Sequence, residues 1–423
     1  MVLLAHPTGN VFVREAACAL EDAGVLAEFH TAIAPCGGNF FAKLAAWPGF
    51  GEIRRRELPG KLEKKLRLHP FRESGRLLAM RAGLGFATRH ESGFFSVDAV
   101  YRAFDRSVAR RVASGKFRSV YCYEDGAMET FRAAKSQGAF CIYDLPIAHW
   151  SAVRQLLSEE AERLPDWACT LDGLWDSEEK LRRKDRELEL ADVVVCPSQF
   201  VRDSLPAEVL ERKRVEVVPF GSPPVLECAR KVRREGPLKI LFAGSMTQRK
   251  GLADVFAAMA LVDSKKMELH VVGSPVAGRD FYRSRCADFI FHRTRSNAAV
   301  LELMRSCDVL VLPSIAEGRA LVQQEAMACG LPVIATRNAG AEDLLEDGTA
   351  GFLVPIRSPE AIAQKLELLA GNRALLEQMG EAARRKAREL SWADYRRRIV
   401  QVVSTTSRVL INGAERGTGV PPV

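Results

Sequence analysis

The sequence predicts an α/β protein with two domains, each built on a parallel β-sheet. With 423 residues, the chain is too long for one ordinary hydrophobic core and suits two α/β domains of roughly 200 residues each. Short apolar runs alternate with helical stretches along most of the chain, and this alternation is typical of parallel sheets covered by helices. A composition of 47% hydrophobic and 27% charged residues is that of a globular protein.

The clearest strand, helix and strand unit lies between residues 308 and 336. Its two apolar runs have the length and branching of buried parallel strands. Between them a helix is expected to begin near Ala320 and to end at Gly330, where glycine can take the left-handed conformation. The loop after the first strand should therefore lie at the carboxyl edge of the sheet, where open α/β sheets bind ligands.

Two glutamates in this unit are candidates for chemistry. Glu317 lies in the loop before the helix, and Glu325 lies about a turn and a half inside it, so both can point into one cleft. The spacing alone is a weak signal, because an acid in a loop and a solvated acid on a helix would produce the same pattern.

The residues around these glutamates resemble the donor-site signature of the retaining nucleotide-sugar glycosyltransferases of family 4, the glycosyl transferases group 1. The segments EGRALVQQEAMACGLPVIAT and NAGAEDLLEDGTAGFLVP carry the resemblance. It is specific over residues 238–358 and looser over the N-terminal half. The family has the GT-B architecture, in which two Rossmann-like domains face each other across a cleft. The resemblance therefore implies transfer of a sugar from a nucleotide-sugar to a hydroxyl acceptor, such as a glycan or a lipid-linked acceptor.

The resemblance also assigns roles to single residues. Glu317 would hold the sugar and stabilise positive charge at its anomeric carbon, and Glu325 would accept both ribose hydroxyls. Lys250 and Arg249 would bind the diphosphate from a turn between a strand and a helix. Many family members carry an arginine where this chain has Ser245, so Arg249 is the candidate to replace that phosphate contact.

Five further residues complete the implied donor-binding set. Backbone amides of Gly318, Arg319 and Ala320 would bind phosphate or sugar. The family commonly has Phe-Gly where this chain has Arg319 and Ala320, so the donor preference is expected to differ. Leu321 begins the helix that follows. In the N-terminal half, Gly9 would let the backbone approach a ligand at the sheet edge.

His149 is the second catalytic candidate beside Glu317. It lies just past a predicted strand, and in the resembled family a histidine from this part of the N-terminal domain lies next to the transferring sugar. The alternative is a loop histidine packed against Trp150.

The chain contains no Asp-x-Asp triplet, so we expect neither a metal ion nor another cofactor. Cationic side chains and helix amides would replace the metal. In the resembled enzymes the leaving diphosphate is thought to take the acceptor's proton on the face where the new bond forms, so the configuration is retained.

We expect five segments along the chain. Residues 1–221 would form an N-terminal Rossmann-like domain on the acceptor side, and residues 238–390 a C-terminal Rossmann-like donor domain. A proline-rich linker, 222–237, would join them. Residues 391–411 resemble the terminal helix that crosses back onto the N-terminal domain, and residues 412–423 are expected to be disordered.

The net charge of +8 is concentrated in residues 50–90, which contain eleven lysines or arginines and four glutamates. A solvated helical surface and contact with an anionic membrane surface are both compatible with this asymmetry. Nucleic-acid binding is disfavoured, because the aromatic interleaving and modular motifs that accompany it are missing.

The expected location is cytoplasmic, with peripheral attachment at the inner face of the membrane as one form of it. No apolar run approaches the 18 or so residues needed to cross a bilayer, and the ten cysteines are scattered singly. A catalytically inactive nucleotide-binding scaffold of the same fold is the rival interpretation, and Ser245 and Arg319 are the departures that favour it.

Overall fold

Two parallel β-sheets organise the chain, which confirms the predicted fold class. The computed structural model describes residues 1–47, 50–115, 117–225, 235–293 and 296–415. The predicted linker, 222–237, therefore lies largely outside the described residues.

The first sheet is built from the N-terminal half of the chain. Its strands have the order β3-β2-β1-β4-β5-β6-β7, and all of the described pairings are parallel. The strands are β1 (Val2–Ala5), β2 (Leu26–Thr31), β3 (Leu66–Leu68), β4 (Ser119–Tyr123), β5 (Phe140–Asp144), β6 (Val193–Cys196) and β7 (Arg214–Val217).

The second sheet repeats this layout in the C-terminal half. Its order is β10-β9-β8-β11-β12-β13, again with parallel pairings throughout the described strands. The strands are β8 (Leu238–Ala243), β9 (Met267–Val272), β10 (Ile290–His292), β11 (Val309–Leu312), β12 (Val333–Ala335) and β13 (Gly351–Leu353).

The strand order of each sheet predicts where a ligand would bind. In each sheet the second and third strands lie on one side of the first strand, and the later strands lie on its other side. The direction of strand order therefore reverses between β1 and β4 in the first sheet and between β8 and β11 in the second. Ligands of open α/β sheets bind at such a switch point, outside the carboxyl ends of the strands. Gly9 follows β1, and Glu317 follows β11.

Helices cover the faces of both sheets, because every parallel connection has to cross over the sheet. Those of the first half are α1 (Val11–Asp22), α2 (Phe40–Ala45), α3 (Gly51–Arg54), α4 (Pro70–Arg81), α5 (Val97–Val112), α6 (Met128–Ser136), α7 (Trp150–Arg163), α8 (Glu178–Leu190), α9 (Gln199–Asp203) and α10 (Ala207–Arg212). Those of the second half are α11 (Leu252–Leu261), α12 (Arg279–Arg283), α13 (Asn297–Ser306), α14 (Leu321–Ala328), α15 (Pro359–Gly371), α16 (Arg373–Glu389) and α17 (Trp392–Glu415).

The final helix, α17, returns to the first sheet. Tyr395 and Ile399 are buried in the core that contains Leu4 and Phe12 of the N-terminal half. Arg396 Nη2 pairs with Glu15 Oε2 on α1 at 2.5 Å. The helix extends to Glu415, so residues 412–415 are helical where disorder was predicted from residue 412, and residues 416–423 lie outside the described part.

The two halves meet through the loops at the carboxyl ends of their strands. Ala148 and Leu157 of the first half share a buried apolar cluster with Ile315 and Ala316 of the second half. The hydroxyl of Ser198, after β6, also donates to the carbonyl oxygen of Gly318 at 2.7 Å. Across the described ranges, no helix combines the length and the apolar content needed to span a bilayer.

Candidate active site

The candidate site is centred where two neighbouring strands, β8 and β11, end at the same edge of the second sheet. The strands pair in parallel, with Leu310 opposite Leu241. The loop after β8 carries Arg249 and Lys250, and the loop after β11 carries Glu317. The structure therefore brings together two cations and one acid from segments far apart in the sequence.

Glu317 is held between the two cations. Arg249 Nη1 donates to Glu317 Oε2 at 3.0 Å and to the carbonyl oxygen of Ala316 at 3.1 Å, and Lys250 Nζ donates to the same carboxylate oxygen. Burial acts to raise the pKa of Glu317, but the charges of Lys250 and Arg249 outweigh burial and lower the pKa to about 2. The carboxylate is therefore ionised at neutral pH and forms ion pairs with both Arg249 and Lys250.

Glycines let the loops approach closely at this point. A Cβ atom on Gly318 would lie 1.7 Å from the carbonyl oxygen of Pro146, which belongs to the loop after β5 in the other half of the chain. Gly251 adopts a left-handed conformation, and a Cβ atom there would lie 2.1 Å from the carbonyl oxygen of Pro313. A side chain at Gly318 would separate the Glu317 loop from the loop after β5, and one at Gly251 would separate the loops that hold Lys250 and Glu317.

Glu325 faces a different space from Glu317. Its Oε1 accepts a hydrogen bond from Asn297 Nδ2 at 2.7 Å. Burial raises the pKa of Glu325, and this hydrogen bond opposes the increase. The residue lines an interdomain cavity of about 580 Å³ together with Leu321 and, across the cleft, Gly9. Three of the predicted donor-binding residues thus surround one cavity.

The side chain of Arg319 makes contacts that the sequence analysis did not predict, while the role of its backbone amide stays a prediction. The residue is 4% exposed, and its Nη1 donates to the carbonyl oxygen of Pro197 at 3.0 Å and to Asp343 Oδ2 at 3.2 Å. Burial lowers the pKa of Arg319 to about 10. The guanidinium therefore ties the loop after β11 to the loop after β6, and it does not join the cluster of Glu317.

Ser245 and Ala320 contribute little side-chain chemistry. Ser245 is exposed, and its carbonyl oxygen accepts a hydrogen bond from the backbone of Thr247 at 2.8 Å. Ala320 is buried and precedes α14, with its N–H directed at the carbonyl oxygen of Ala339 at 3.4 Å. Any contact of these residues with a ligand would come from the hydroxyl of Ser245 or from the backbone.

His149 caps the first turn of α7. Its Nδ1 accepts from the backbone N–H of Ser151 at 3.4 Å and lies 2.8 Å from the Ser151 hydroxyl. Burial lowers the pKa of His149 to about 4, so the ring is neutral at neutral pH. Its Nε2 is buried, has no hydrogen-bond partner within the described residues, and lies 3.5 Å from Asp185 Oδ1. Trp150 packs beside it, with ring centroids 5.5 Å apart.

A second interdomain cavity, of about 410 Å³, lies beside the His149 loop. Ile147, Ala148 and Trp150 line it from the first half, and Arg249 lines it from the second half. The loop that carries His149 and the cation that holds Glu317 therefore border one space, although no direct contact joins the two candidate catalytic residues.

A polar cluster between the halves was missed by the sequence analysis. Gln248 Nε2 donates to Glu160 Oε2 at 2.8 Å and to Asp254 Oδ2 at 2.7 Å, and Arg163 Nη2 donates to Asp254 Oδ1 at 2.9 Å. Gln248 directly precedes Arg249, so this cluster fixes the turn that presents the two cations. The burial of Glu160 depends on tertiary packing, and no local pattern in the sequence indicates it.

Arginines of the first half also face the larger cavity. Arg14 of α1 lines it, and so do Arg55 and Arg56, which follow α3. Arg56 Nη2 pairs with Glu73 Oε1 at 2.6 Å, while its Nη1 is buried without a hydrogen-bond partner within the described ranges. The basic composition of residues 50–90 indicated that cations are concentrated in this part of the chain, but it does not indicate which of them face the cleft.

One group in the described part of the chain has the spacing of metal ligands: His90, Glu91 and Asp176. Protein groups already satisfy its carboxylates. Ser177 donates to Glu91 through its N–H at 2.8 Å, and Lys180 Nζ lies 2.8 Å from Asp176 Oδ1. A cation would have to displace the ammonium group, so the group fits a metal poorly.

Comparison with known protein families points to one class. Residues 227–386 match the family model described as glycosyl transferases group 1. A D-inositol 3-phosphate glycosyltransferase of Paenarthrobacter aurescens (strain TC1) is 29% identical over 279 residues, which cover 59% of this chain and 65% of the relative. One from Arthrobacter sp. (strain FB24) is 33% identical over 168 residues, covering 37% of this chain and 40% of the relative. The chain thus spans less than two thirds of the length of these relatives.

Solved structures share the fold over nearly the whole chain. Sucrose-phosphate synthase from Thermosynechococcus elongatus superposes with a TM-score of 0.66 at 18% identity, covering 96% of this chain and 98% of that one. Anabaena HepE in complex with UDP superposes with a TM-score of 0.61 at 15% identity, covering 96% and 99%. At these identities the likeness establishes the architecture alone.

Proposed function

Because the chain has the GT-B fold and carries a domain that matches the glycosyl transferases group 1, we propose that it transfers a sugar from a nucleotide-sugar donor to a hydroxyl acceptor. The observation that carries the proposal is the cluster of Glu317, Lys250 and Arg249 at the switch point of the second sheet. Anionic diphosphates bind where cations and strand ends converge. Glu325, in its cavity on the same side of the cleft, is suited to accept ribose hydroxyls.

In the proposed reaction the diphosphate replaces Glu317 as the partner of Lys250 and Arg249. Glu317 then faces the sugar, and its carboxylate stabilises positive charge at the anomeric carbon as the bond to the diphosphate breaks. The acceptor oxygen forms its bond on the face that the diphosphate leaves, and the acceptor's proton passes to a diphosphate oxygen. The product retains the anomeric configuration.

His149 would contribute from the opposite domain. With Nδ1 accepting from Ser151, the neutral ring carries its proton on Nε2, which lies 3.5 Å from Asp185 Oδ1 and would exchange that carboxylate for a sugar hydroxyl as its acceptor. A metal is not required in this scheme, since Lys250 and Arg249 supply the positive charge near the diphosphate.

Calorimetric titration with UDP in the presence of EDTA tests the donor site. UDP is the probe because HepE, which shares the fold, was solved with it. We expect binding that chelation does not change. Incubation with a panel of UDP-sugars should then release UDP, and NMR of the product should show a retained anomeric configuration. Binding that disappears with EDTA would refute metal independence, and an absence of turnover with every donor and acceptor would favour the inactive scaffold.

We also propose that the N-terminal half rests on an anionic membrane surface. Seven large apolar side chains between residues 40 and 94 are each at least 55% exposed: Phe40, Trp47, Phe71, Leu78, Met80, Phe86 and Phe94. We call these residues the apolar surface. Four of them lie within residues 50–90, the most basic part of the chain, and the other three lie within ten residues of it. Exposed apolar side chains among cations are typical of peripheral membrane proteins.

Liposome flotation tests this attachment. Recovery with anionic liposomes should be high at low salt and should fall at high salt, because exposed charges are screened. Phe86→Ser should lower recovery, whereas Leu261→Ser, which removes a similarly exposed apolar side chain from the C-terminal half, should not. Equal recovery of both variants, or none for the natural protein, would contradict the proposal.

A further inference from the structure

We propose that the short helix α3 separates the two parts of one acceptor site, which takes a lipid phosphate. The hydrocarbon chain would lie in an apolar groove on one side of α3, and the phosphate would bind arginines in the interdomain cavity on the other side. This inference rests on the proposed function and adds the chemical class of the acceptor to it.

The groove is suited to a hydrocarbon chain. It has a volume of about 530 Å³ and lies between α2, α3 and α4. Its lining is almost entirely apolar, with Phe41, Phe50, Ile53 and Leu77 among the side chains that form it. Both its volume and its composition fall in the range of pockets that enclose apolar ligands. The groove opens onto the apolar surface, since Phe40 and Leu78 belong to both.

The groove and the interdomain cavity share a wall. Glu52 of α3 lines both spaces. Ile53, the next residue, faces the groove, whereas Arg55 and Arg56 line the cavity. A molecule with an apolar chain and an anionic group next to it could therefore occupy both spaces by passing α3.

The arginines of the cavity have capacity for an anion. The guanidinium of Arg55 makes no hydrogen bond or ion pair with any described residue. Arg56 has a buried Nη1 without a partner in the described part of the chain. Arg14, the third cation, donates one hydrogen bond, from Nη1 to the carbonyl oxygen of Glu57 at 3.3 Å. Guanidinium groups with unused donors are the usual partners of phosphate oxygens.

The position of the cavity connects this anion site to the transfer reaction. Glu325 and Leu321 form its opposite wall, so a phosphate on Arg55 would lie across the cleft from the ribose site. A lipid phosphate fits the observations better than a peptide does, because the groove supplies few polar partners for a peptide backbone.

Equilibrium dialysis with decyl phosphate, below the concentration at which it forms micelles, tests both parts at once. Inorganic phosphate provides the anion alone, and decyl glucoside provides the chain without a charge. We expect decyl phosphate to bind at least 10-fold more tightly than either.

Two variants with matched controls separate the parts of the site. Ser74→Trp adds an indole to the groove and should weaken decyl phosphate binding on the order of 10-fold, whereas Ser136→Trp, on an exposed helix end, should not. Arg55→Gln should weaken decyl phosphate binding about 5-fold, whereas Arg54→Gln, whose side chain lines neither space, should leave it unchanged.

UDP titrations distinguish this inference from the proposed function. Both site variants should bind UDP as the natural protein does. If Arg55→Gln weakens UDP and decyl phosphate binding equally, the arginines serve the donor and the inference fails while the transferase proposal stands. If all four variants bind decyl phosphate alike, adsorption is nonspecific and the inference also fails. Absence of UDP binding in the natural protein would instead refute the proposed function.

Discussion

The cleft has an N-terminal wall, formed by the first half of the chain, and a C-terminal wall, formed by the second half. Both walls are built on the same strand order, but their charged side chains are paired differently. On the C-terminal wall, Lys250 and Arg249 are both paired with Glu317, so each cation has a partner in the absence of a ligand. On the N-terminal wall, the guanidinium of Arg55 has no hydrogen-bond or ion-pair partner among the described residues, and the neutral His149 has Asp185 Oδ1 3.5 Å from its Nε2.

This difference indicates how the two walls would respond to ligands. A diphosphate at the C-terminal wall must exchange with Glu317, so its binding energy is reduced by the pair it replaces, and the exchange releases the carboxylate toward the sugar. The Arg55 guanidinium on the N-terminal wall needs no such exchange. Substitution of Glu317 should therefore change both UDP affinity and turnover, whereas substitutions of Glu325 and of residues on the N-terminal wall should act on one of them.

The largest effect is expected for Glu317→Gln. The amide is nearly isosteric but cannot stabilise positive charge at the anomeric carbon, so turnover should fall on the order of 100-fold. UDP affinity should not fall, and it should rise if the carboxylate competes for Lys250 and Arg249 as the structure indicates. Steady-state kinetics and UDP calorimetry measure the two quantities. The exposed Glu302→Gln on α13 is the control.

A Glu317→Gln protein that loses UDP affinity in step with turnover would contradict this contrast. The carboxylate would then support the fold of the diphosphate site and would not act on the sugar.

A smaller effect is expected for Glu325→Ala, which should weaken UDP binding 10- to 100-fold, equivalent to about 1.4 to 2.7 kcal/mol. Because burial raises the pKa of Glu325, protonation should weaken UDP binding in mild acid, and Glu325→Gln should remove that pH dependence. Glu317, with a pKa of about 2, should add no such dependence. Asn297→Ala, which leaves the carboxylate in place, should have a lesser effect. Affinity that is unchanged in Glu325→Ala would show that the residue is only helix surface.

The fold and the C-terminal wall were largely predictable because their signals are local. The segment from β11 to α14 contains its strand, loop and helix within one short stretch, and the left-handed Gly330 ends the helix where predicted. The neighbouring positions of Lys250 and Glu317 follow once β8 and β11 are adjacent in a parallel sheet.

The uses of Arg319 and Arg55 could not be predicted in the same way. Arg319 donates to Pro197, which is 122 residues earlier, and no spacing in the sequence encodes that contact. Residues 50–90 contain many cations, and only the packing of α3 decides that Arg55 faces the cavity while Arg54 does not. Sequence patterns predict the position of a side chain when its own strand or helix determines that position. They do not predict it when the position depends on how the two domains pack together.

On the N-terminal wall, His149 combines two possible roles, and two substitutions separate them. His149→Ala removes the cap of α7 and should cost about 1 kcal/mol of stability as well as about 10-fold in turnover. His149→Asn can still cap the helix, so it should recover the stability but not the turnover. UDP affinity should remain close to that of the natural protein in both. If His149→Asn restores turnover as well, the residue is a helix cap and takes no part in catalysis.

The smallest effect concerns a histidine pair that both domains repeat. His30 Nδ1 lies 2.9 Å from His69 Nε2 beside Glu28, and His270 Nδ1 lies 2.9 Å from His292 Nε2 beside Glu268. The N-terminal group is the more buried of the two, since the side chain of Glu28 is 9% exposed and that of Glu268 is 32% exposed.

Burial, followed by the charge of His30, lowers the pKa of His69 to about 4. Because the folded state disfavours the protonated ring, stability should be fully present above pH 6.5 and should decline as the pH falls toward 4, by less than the roughly 1.4 kcal/mol per pH unit of one full proton. Denaturation by guanidinium between pH 7 and pH 4 should show this slope in the natural protein and a flatter one in His69→Gln. A slope in His69→Gln that equals that of the natural protein would contradict the assignment of this pH dependence to His69.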